Sequence, residues 1–170
     1  GERIGPEPLV TGFDTRYLVE QVVKQEKKFS WQVLNRKIAE KEFAISGAEF
    51  NPAIRDKKWV KFIWTLLNGN KALIKDMMDH CPDFVVANNL DELVEKMNAL
   101  TQSNDIDPAV LKKTIASYDG EIRKGPKHSD DIQIQRIKQA REYRGDKVRT
   151  CAFQAINDPK AYPLIAIREF

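Results

Sequence analysis

The amino-acid sequence predicts an α+β domain, rich in helices, with a few short strands that form a small antiparallel sheet. Two observations lead to this fold class. Apolar residues recur at helical spacing through most of the 170 residues. Short runs typical of strands are scattered between the helical stretches and do not alternate regularly with them. We therefore expect one domain over residues 1–170, with a single core built mainly from helices.

The clearest helical pair lies between Asn89 and Gly125. Asn89 is a favourable N-cap with Glu92 three positions later, as in a capping box. Asp107 followed by Pro108 marks the start of the second helix, and Gly125 marks its end. Each helix has one apolar stripe, formed by Leu90, Leu93, Val94, Met97 and Leu100 in the first and by Leu111, Ile115, Tyr118 and Ile122 in the second.

Weaker patterns predict the remaining elements. Further helices are expected at 14–28, 35–43, 72–79 and 129–143. Strands are expected at 31–34, 83–87, 149–156 and 161–170. Residues 44–55 contain Gly47 and Pro52 and are predicted to form a loop. Ser129 is the expected cap of the last helix, whose thin apolar side predicts a position at the surface.

The stretch from Trp59 to Leu67 is predicted to be a helix that is apolar on every side. Seven of its nine residues are large and apolar, and Lys57, Lys58 and Lys61 accompany them. Such a helix is usually buried, but seven large apolar residues exceed one buried stripe. We therefore expect part of this helix to meet a neighbour, and we expect the chain to self-associate through it. An alternative function follows, in which the chain is an interaction module for a protein partner or a membrane surface.

Composition narrows the possible functions. The net charge of +3 and pI of about 8.8 are too mild to predict nucleic-acid binding without a matching motif. No apolar run approaches the ~20 residues of a membrane-spanning helix, and no signal peptide is visible, so we expect a cytoplasmic protein. Cys81 and Cys151 are then free thiols by default, although a disulfide remains open. Together with His80 and His128 they lack the paired spacing of a zinc site. The start at Gly1 suggests a piece of a larger protein.

Several blocks resemble one flavoprotein superfamily. NLDELVEK at 89–96, followed by Asp107-Pro108 and by Tyr118-Asp119, resembles a phrase in which the family has Asn in place of Asp119. GERI at 1–4, SWQVLNRKI at 30–38 and the predicted strand at 161–170 resemble further family segments in the same order. On these residues the chain resembles the capping (substrate) domain of the superfamily that includes fumarate reductase, succinate dehydrogenase and 3-ketosteroid dehydrogenase.

The resemblance implies an FAD-dependent enzyme that oxidises or reduces a C–C bond next to a carbonyl or carboxylate. Hydride would pass between the substrate and the flavin, and a residue of the cap would transfer the proton. Arg16 occupies the place of the proton-donating arginine of fumarate reductases, and Tyr17 lies beside it as the counterpart of the steroid dehydrogenases' tyrosine. Arg3 is a weaker candidate for the same relay. The residues alone favour a simpler interpretation of Arg16 as a solvated residue of the first helical turn, and the resemblance makes the two interpretations about equal.

The chain lacks the G-x-G-x-x-G fingerprint of a dinucleotide-binding domain. FAD is therefore expected to be bound mainly by another domain of a longer parent chain, and the isolated chain is expected to be inactive. The implied partners are that FAD-binding domain and a small-molecule substrate. Surface or interdomain charges are the simpler interpretation of other residues that could meet an anionic substrate or act as acids, namely Arg55, Arg149, Arg168, His80 and His128.

Overall fold

The computed structural model describes residues 1–4, 15–45, 51–125, 127–140, 142 and 153–169. Within these ranges the chain has eight α-helices and three strands, which confirms the α+β class. The helices are α1 (Thr15–Lys24), α2 (Arg36–Glu42), α3 (Pro52–Arg55), α4 (Trp59–Asn68), α5 (Lys71–His80), α6 (Leu90–Thr101), α7 (Pro108–Lys124) and α8 (Ile132–Ala140). The strands are β1 (Ser30–Asn35), β2 (Phe84–Ala87) and β3 (Leu164–Glu169), and 3-10 turns lie at Phe43–Ile45 and Pro159–Ala161.

The strands form an antiparallel sheet in the order β1-β3-β2. The central strand, β3, is the last of the three in the sequence. Ser30 pairs with Glu169 on one side of it, and Ala87 pairs with Leu164 on the other. Leu164, Ile165 and Ala166 have no exposed surface, so β3 is buried on both faces. The predicted antiparallel pairing is therefore confirmed.

The helices cover both faces of the sheet. Because side chains alternate along a strand, Leu164 and Ala166 contact one cluster while Ile165 and Ile167 contact the other. The first cluster, which we call the α6–α7 core, also contains Val85, Ala87, Leu90, Leu93, Val94, Met97, Leu111 and Ile115. The second, the α2–α5 core, also contains Leu34, Ala39, Ile74 and Phe84. The core is thus divided by the sheet into two layers.

The predicted helical pair is confirmed with its caps. Asn89 Oδ1 accepts from the backbone N–H of Glu92 at 2.8 Å. Asp107 accepts from the N–H groups of Ala109 and Val110, at 2.7 and 3.0 Å. The Glu92 carboxylate differs slightly from a capping box, because it accepts from the backbone of Asn88 at 2.8 Å. Two short polar caps thus fix the start of each helix.

Several predicted boundaries are wrong. Helix α1 ends at Lys24, before the predicted end at Lys28. The stretch 44–55 contains α3, because Asn51 caps it by accepting from Ala53 N at 3.2 Å and Pro52 takes the first helical position. The predicted strand at 161–170 begins later, at Leu164, because Asp158 caps the 3-10 turn Pro159–Ala161. Of the predicted strand at 149–156, residues 149–152 lie outside the described residues, and 153–156 are not in a strand.

Helix α8 also corrects the sequence analysis. It starts at Ile132, and Asp131, not Ser129, caps it by accepting from Ile134 N at 2.9 Å. The Ser129 hydroxyl instead donates to Glu121 on α7 at 3.0 Å. Ile134 is only 1% exposed, while Ile132 is 43% exposed. The helix is therefore partly exposed, as expected, but its thin apolar side includes a fully buried residue.

Candidate functional site

The first two predicted site residues lie on α1. The Arg16 side chain is 94% exposed, and its Nε donates to Glu20 Oε1 at 3.1 Å, one turn along the same helix. Exposed pairs of this kind stabilise a helix by about 0.3–0.5 kcal/mol. Tyr17, the next residue, is half-buried. The described surroundings of Arg16 are therefore those of a solvated first-turn residue, and its role as a proton donor remains a prediction.

Arg3 lies in a different setting. Its guanidinium forms an ion pair with the Asp131 carboxylate at the start of α8. It also lies 5.4 Å from the ring centroid of Tyr118 on α7, in cation–π geometry. Nearby, the Gln133 side chain donates to the backbone oxygen of Ile4 at 3.3 Å. These contacts fasten the first residues to α7 and α8, and they do not bring Arg3 together with the α1 candidates.

The structure reveals a buried polar cluster that the sequence analysis did not predict. Asp119 on α7 is 1% exposed, and its two carboxylate oxygens accept from the backbone N–H groups of Ile156 and Asn157, at 2.7 and 2.9 Å. Asn35 is fully buried at the end of β1, and its Nδ2 donates to the backbone oxygens of Ala155 and Ile156, at 2.9 and 3.0 Å. Two N–H groups and two carbonyl oxygens of the 155–157 backbone are thereby satisfied by the side chains of Asp119 and Asn35.

Tyr162 completes this arrangement. Its ring packs against the α6–α7 core, and its hydroxyl donates to Asn157 Oδ1. Burial raises the pKa of the Tyr162 hydroxyl, and the nearby carboxylates of Asp119 and Asp158 raise it further. The phenol therefore stays protonated above neutral pH and acts as a hydrogen-bond donor. We call Asn35, Asp119, Asn157 and Tyr162 the junction cluster, because it joins α7, β1 and the segment that leads into β3.

One signal in the sequence could have located this cluster. Asn35 stands at the end of a strand and directly before a helix, which is an N-cap position, and its Oδ1 accepts from Ile38 N at 3.0 Å. In the sequence, Asp119 stands out only as a departure from the family pattern. The partners of Asp119 are backbone groups 37 and 38 residues away. No local pattern indicates a contact at that distance along the chain.

The other candidate residues are engaged in exposed or half-buried pairs. Arg55 Nε donates to Asp56 at 2.9 Å. Arg168 contacts Asp83 through two nitrogens, at 2.6 and 2.8 Å, and its guanidinium lies 6.0 Å from the ring centroid of Phe29. His80 lies 3.0 Å from an Asp76 carboxylate oxygen, and His128 is exposed. Arg149 lies outside the described residues. The described pairs fit the simpler interpretation, in which these are surface charges.

The described part of the chain contains neither a metal-binding cluster nor a membrane-spanning helix. Among those residues, no group of three or more His, Cys, Asp or Glu side chains could hold a metal ion. In the same ranges, no helix combines the length and the apolar character needed to cross a membrane.

The described residues do not fit a flavin dinucleotide. A dinucleotide-binding domain holds the pyrophosphate at a glycine-rich turn between a parallel strand and a helix. Here both strand pairings are antiparallel, and the sequence has no G-x-G-x-x-G. The segment as described is therefore a different kind of domain from the one that binds FAD in a Rossmann-type enzyme.

Comparison by sequence relates the chain to a segment of dehydrogenases. It is 39% identical over 170 residues to a protein of Mycobacterium tuberculosis, which is named a KsdD-like steroid dehydrogenase. A protein of the same name from a second strain is 38% identical, and one from Mycolicibacterium smegmatis is 35% identical over 169 residues. The matches cover 99% of this chain and 30% of the length of each relative. The resemblance to the 3-ketosteroid dehydrogenases predicted from the sequence is thus confirmed.

No family model matches the chain, and no solved structure matches it.

Proposed function

We propose that this chain is the substrate-capping segment of an FAD-dependent dehydrogenase that oxidises or reduces a C–C bond next to a carbonyl or carboxylate. One observation carries the proposal. The chain matches relatives named steroid dehydrogenases over 99% of its own length but over only 30% of theirs. A segment of that size without a dinucleotide fingerprint fits the part of such an enzyme that faces the substrate.

A division of labour follows from this assignment. FAD is proposed to be held by the part of a longer protein that lies outside this chain, where it supplies the oxidation chemistry. The present segment covers the substrate, excludes water and provides groups that can move a proton. Its two-layer core, with β3 buried on both faces, gives the rigid support that such positioning needs.

Arg16 remains the proposed proton-transfer residue, with Tyr17 beside it and Arg3 as the weaker candidate. The exposure of Arg16 is compatible with this role only if the flavin-binding part of the longer protein covers α1. An arginine in such a covered site stabilises developing negative charge through its planar fork. Arg3 is already neutralised by Asp131, which favours an anchoring role for it. A carbonyl-bearing steroid is the proposed substrate class, on the names of the relatives.

A segment exchange tests the proposal. In the relative from Mycolicibacterium smegmatis, the matching 169 residues would be replaced by this chain. We expect the hybrid to retain bound flavin, seen by its absorbance, and to oxidise androstenedione with a dye as electron acceptor. The matched control carries Asp91→Asn on the exposed face of α6, where the side chain is 69% exposed.

The flavin signal separates folding from turnover. A hybrid that holds flavin and oxidises the steroid supports the capping role. A hybrid that holds flavin as well as the unmodified relative does, but turns over neither a 3-ketosteroid nor fumarate, would contradict it. The non-catalytic interaction module would then be the better account of the chain.

A further inference from the structure

Helix α4 presents an unusual apolar surface. Five of its side chains are exposed by more than half, from 53% for Ile63 to 85% for Val60. They lie at positions i, i+1, i+4, i+5 and i+8 and so form one stripe along the helix. We call this stripe the tryptophan face; it consists of Trp59, Val60, Ile63, Trp64 and Leu67. Of the eight large hydrophobic residues that are exposed in the described part of the chain, five belong to it.

The helix is fastened to the domain from its opposite side. Phe62, Thr65 and Leu66 are half-buried there. Lys41 Nζ donates to the backbone oxygens of Leu66 and Leu67, at 3.0 and 2.5 Å. At the C-terminal end, Gly69 adopts φ +85°, with the backbone oxygen of Glu40 3.0 Å from where a Cβ would lie. The tryptophan face is therefore a fixed outward surface, and the expectation that part of this helix faces outward is confirmed.

The charges around the tryptophan face are positive. Helix α4 contains no acidic residue, and Lys57, Lys58 and Lys61 lie at its start. Asp56, the nearest acid in the sequence, pairs with Arg55 and with Lys58 at 2.9 and 3.2 Å. Residues 55–61 keep a net positive charge, because they contain four basic residues and only this one acid. The positive end of the helix dipole points the same way. An anionic partner is therefore favoured.

A shallow groove on α4 is lined by both apolar and positively charged side chains. It has a volume of about 530 Å³ and is lined by Lys58, Trp59, Val60, Lys61 and Trp64. Tryptophan is suited to the boundary between lipid headgroups and acyl chains, because its ring is apolar and its N–H is polar. Lysines beside such rings reach anionic headgroups while their stems stay among apolar groups. These are the features of a helix that lies in the plane of a membrane surface.

We propose that the tryptophan face docks this chain on an anionic lipid surface, without crossing it. In the isolated chain a second copy is the competing occupant expected from the sequence, and in a longer protein the flavin-binding part is the competing occupant. A symmetric dimer places the same patch on both partners, so the lysines that line the groove would face each other. Headgroup phosphates neutralise those charges, whereas a second copy adds to them. The proposal stands independently of the dehydrogenase assignment.

Vesicle binding tests the proposal. The chain would be titrated with two kinds of vesicle, one of phosphatidylcholine alone and one of phosphatidylcholine and phosphatidylglycerol in equal parts. Tryptophan emission and co-sedimentation would measure binding. We expect a blue shift and binding with the anionic vesicles, and much weaker binding at about 1 M salt than at about 0.1 M. Lys57→Gln and Lys61→Gln should each weaken binding about fivefold. Trp64→Glu should weaken it at least tenfold.

Val23→Glu is the matched control, because Val23 is an apolar residue that is 56% exposed on a different helix, α1. It should bind vesicles as the unmodified chain does, and far-UV circular dichroism should show that every variant is folded. Absence of binding to anionic vesicles, or equal and salt-insensitive binding to both kinds, would overturn the proposal. So would a stable dimer that Trp64→Glu dissolves while no vesicle binding occurs. The same measurement applies to a longer protein that contains this chain. If that protein does not bind anionic vesicles, its other parts cover the tryptophan face, and the proposal is overturned in the same way.

Discussion

Removal of the Asp119 carboxylate should destabilise the domain far more than removal of an exposed acid. In the structure this carboxylate is 1% exposed and accepts two backbone hydrogen bonds, from Ile156 and Asn157. Asp119→Ala deletes both acceptors and leaves two N–H groups near the protein interior without their partner. Hydrogen bonds to a charged group contribute about 1.5–3 kcal/mol each. Because water can reach part of the 156–157 segment, we expect a total loss near the lower end of the sum of the two bonds, about 3–4 kcal/mol.

Urea unfolding followed by circular dichroism measures this loss directly. A loss of that size lowers the melting temperature of a chain this long by roughly 5–15 °C. Asp91→Ala is the matched control, because Asp91 is 69% exposed and its ion pair with Lys112 contributes less than about 1 kcal/mol. Asp119→Asn should fall between the two, since it keeps one acceptor oxygen. If Asp119→Ala and Asp91→Ala have the same free energy of unfolding, the junction cluster does not hold the 155–157 segment in the way described.

Four further predictions concern FAD binding, stability at low pH, turnover of an Arg16 variant and the melting temperature of a Gly69 variant. Titration of the isolated chain with FAD should show no tight, stoichiometric binding; a stoichiometric complex would contradict the capping assignment. Hydrogen bonds from Lys124 and from the backbone of Asp130 lower the pKa of Glu121 from 4.5 to about 2. Its contribution to stability is therefore complete above pH 4.5 and is lost as the pH falls towards 2. Glu121→Gln should flatten that acid limb in urea titrations, and an unchanged limb would count against the network. In the hybrid enzyme, Arg16→Lys should greatly reduce turnover with flavin content unchanged, because lysine lacks the planar fork; wild-type turnover would make Arg16 a surface residue. Gly69→Ala should lower the melting temperature, since a φ of +85° is strained for any residue with a side chain and the added methyl group would lie only 3.0 Å from Glu40.

Local chemistry explains which parts of the fold could be predicted. Helices α6 and α7 could be predicted because their signals are local. The caps, Asn89 and Asp107, and the apolar stripes depend only on residues a few positions apart in the sequence. Helix α3 was missed because a single turn carries no periodicity, although Asn51-Pro52 is a start signal. The first residue of β3 was misjudged because Tyr162 is typical of strands, whereas the Asp158 cap imposes a turn.

The candidate site could be predicted less well than the fold. Arg16 and Tyr17 were named from a resemblance, and nothing local shows which surface of α1 another domain would cover. The junction cluster joins Asn35 to backbone atoms 120 and 121 residues later. Contacts so far apart depend on the whole fold. The apolar character of α4 could be read from the sequence, and such a helix is usually buried. Five of its seven large apolar residues are nevertheless exposed, because the inward side of one helix has too few positions for all seven.

The position of β3 has a consequence for the order of events on the ribosome. The strand that joins β1 to β2 is synthesised after both, and Ser30 must wait for Glu169 before it can pair. The longer, capped helices α6 and α7 can begin to form while the nascent chain grows, but β1 and β2 lack the strand that pairs with both of them until β3 is synthesised. Because such non-local pairing slows folding and leaves strand edges uncovered, we expect the nascent chain to expose two apolar strand edges until β3 emerges. A chain truncated before Leu164 should therefore keep much of its helical signal and be a preferred client of chaperones.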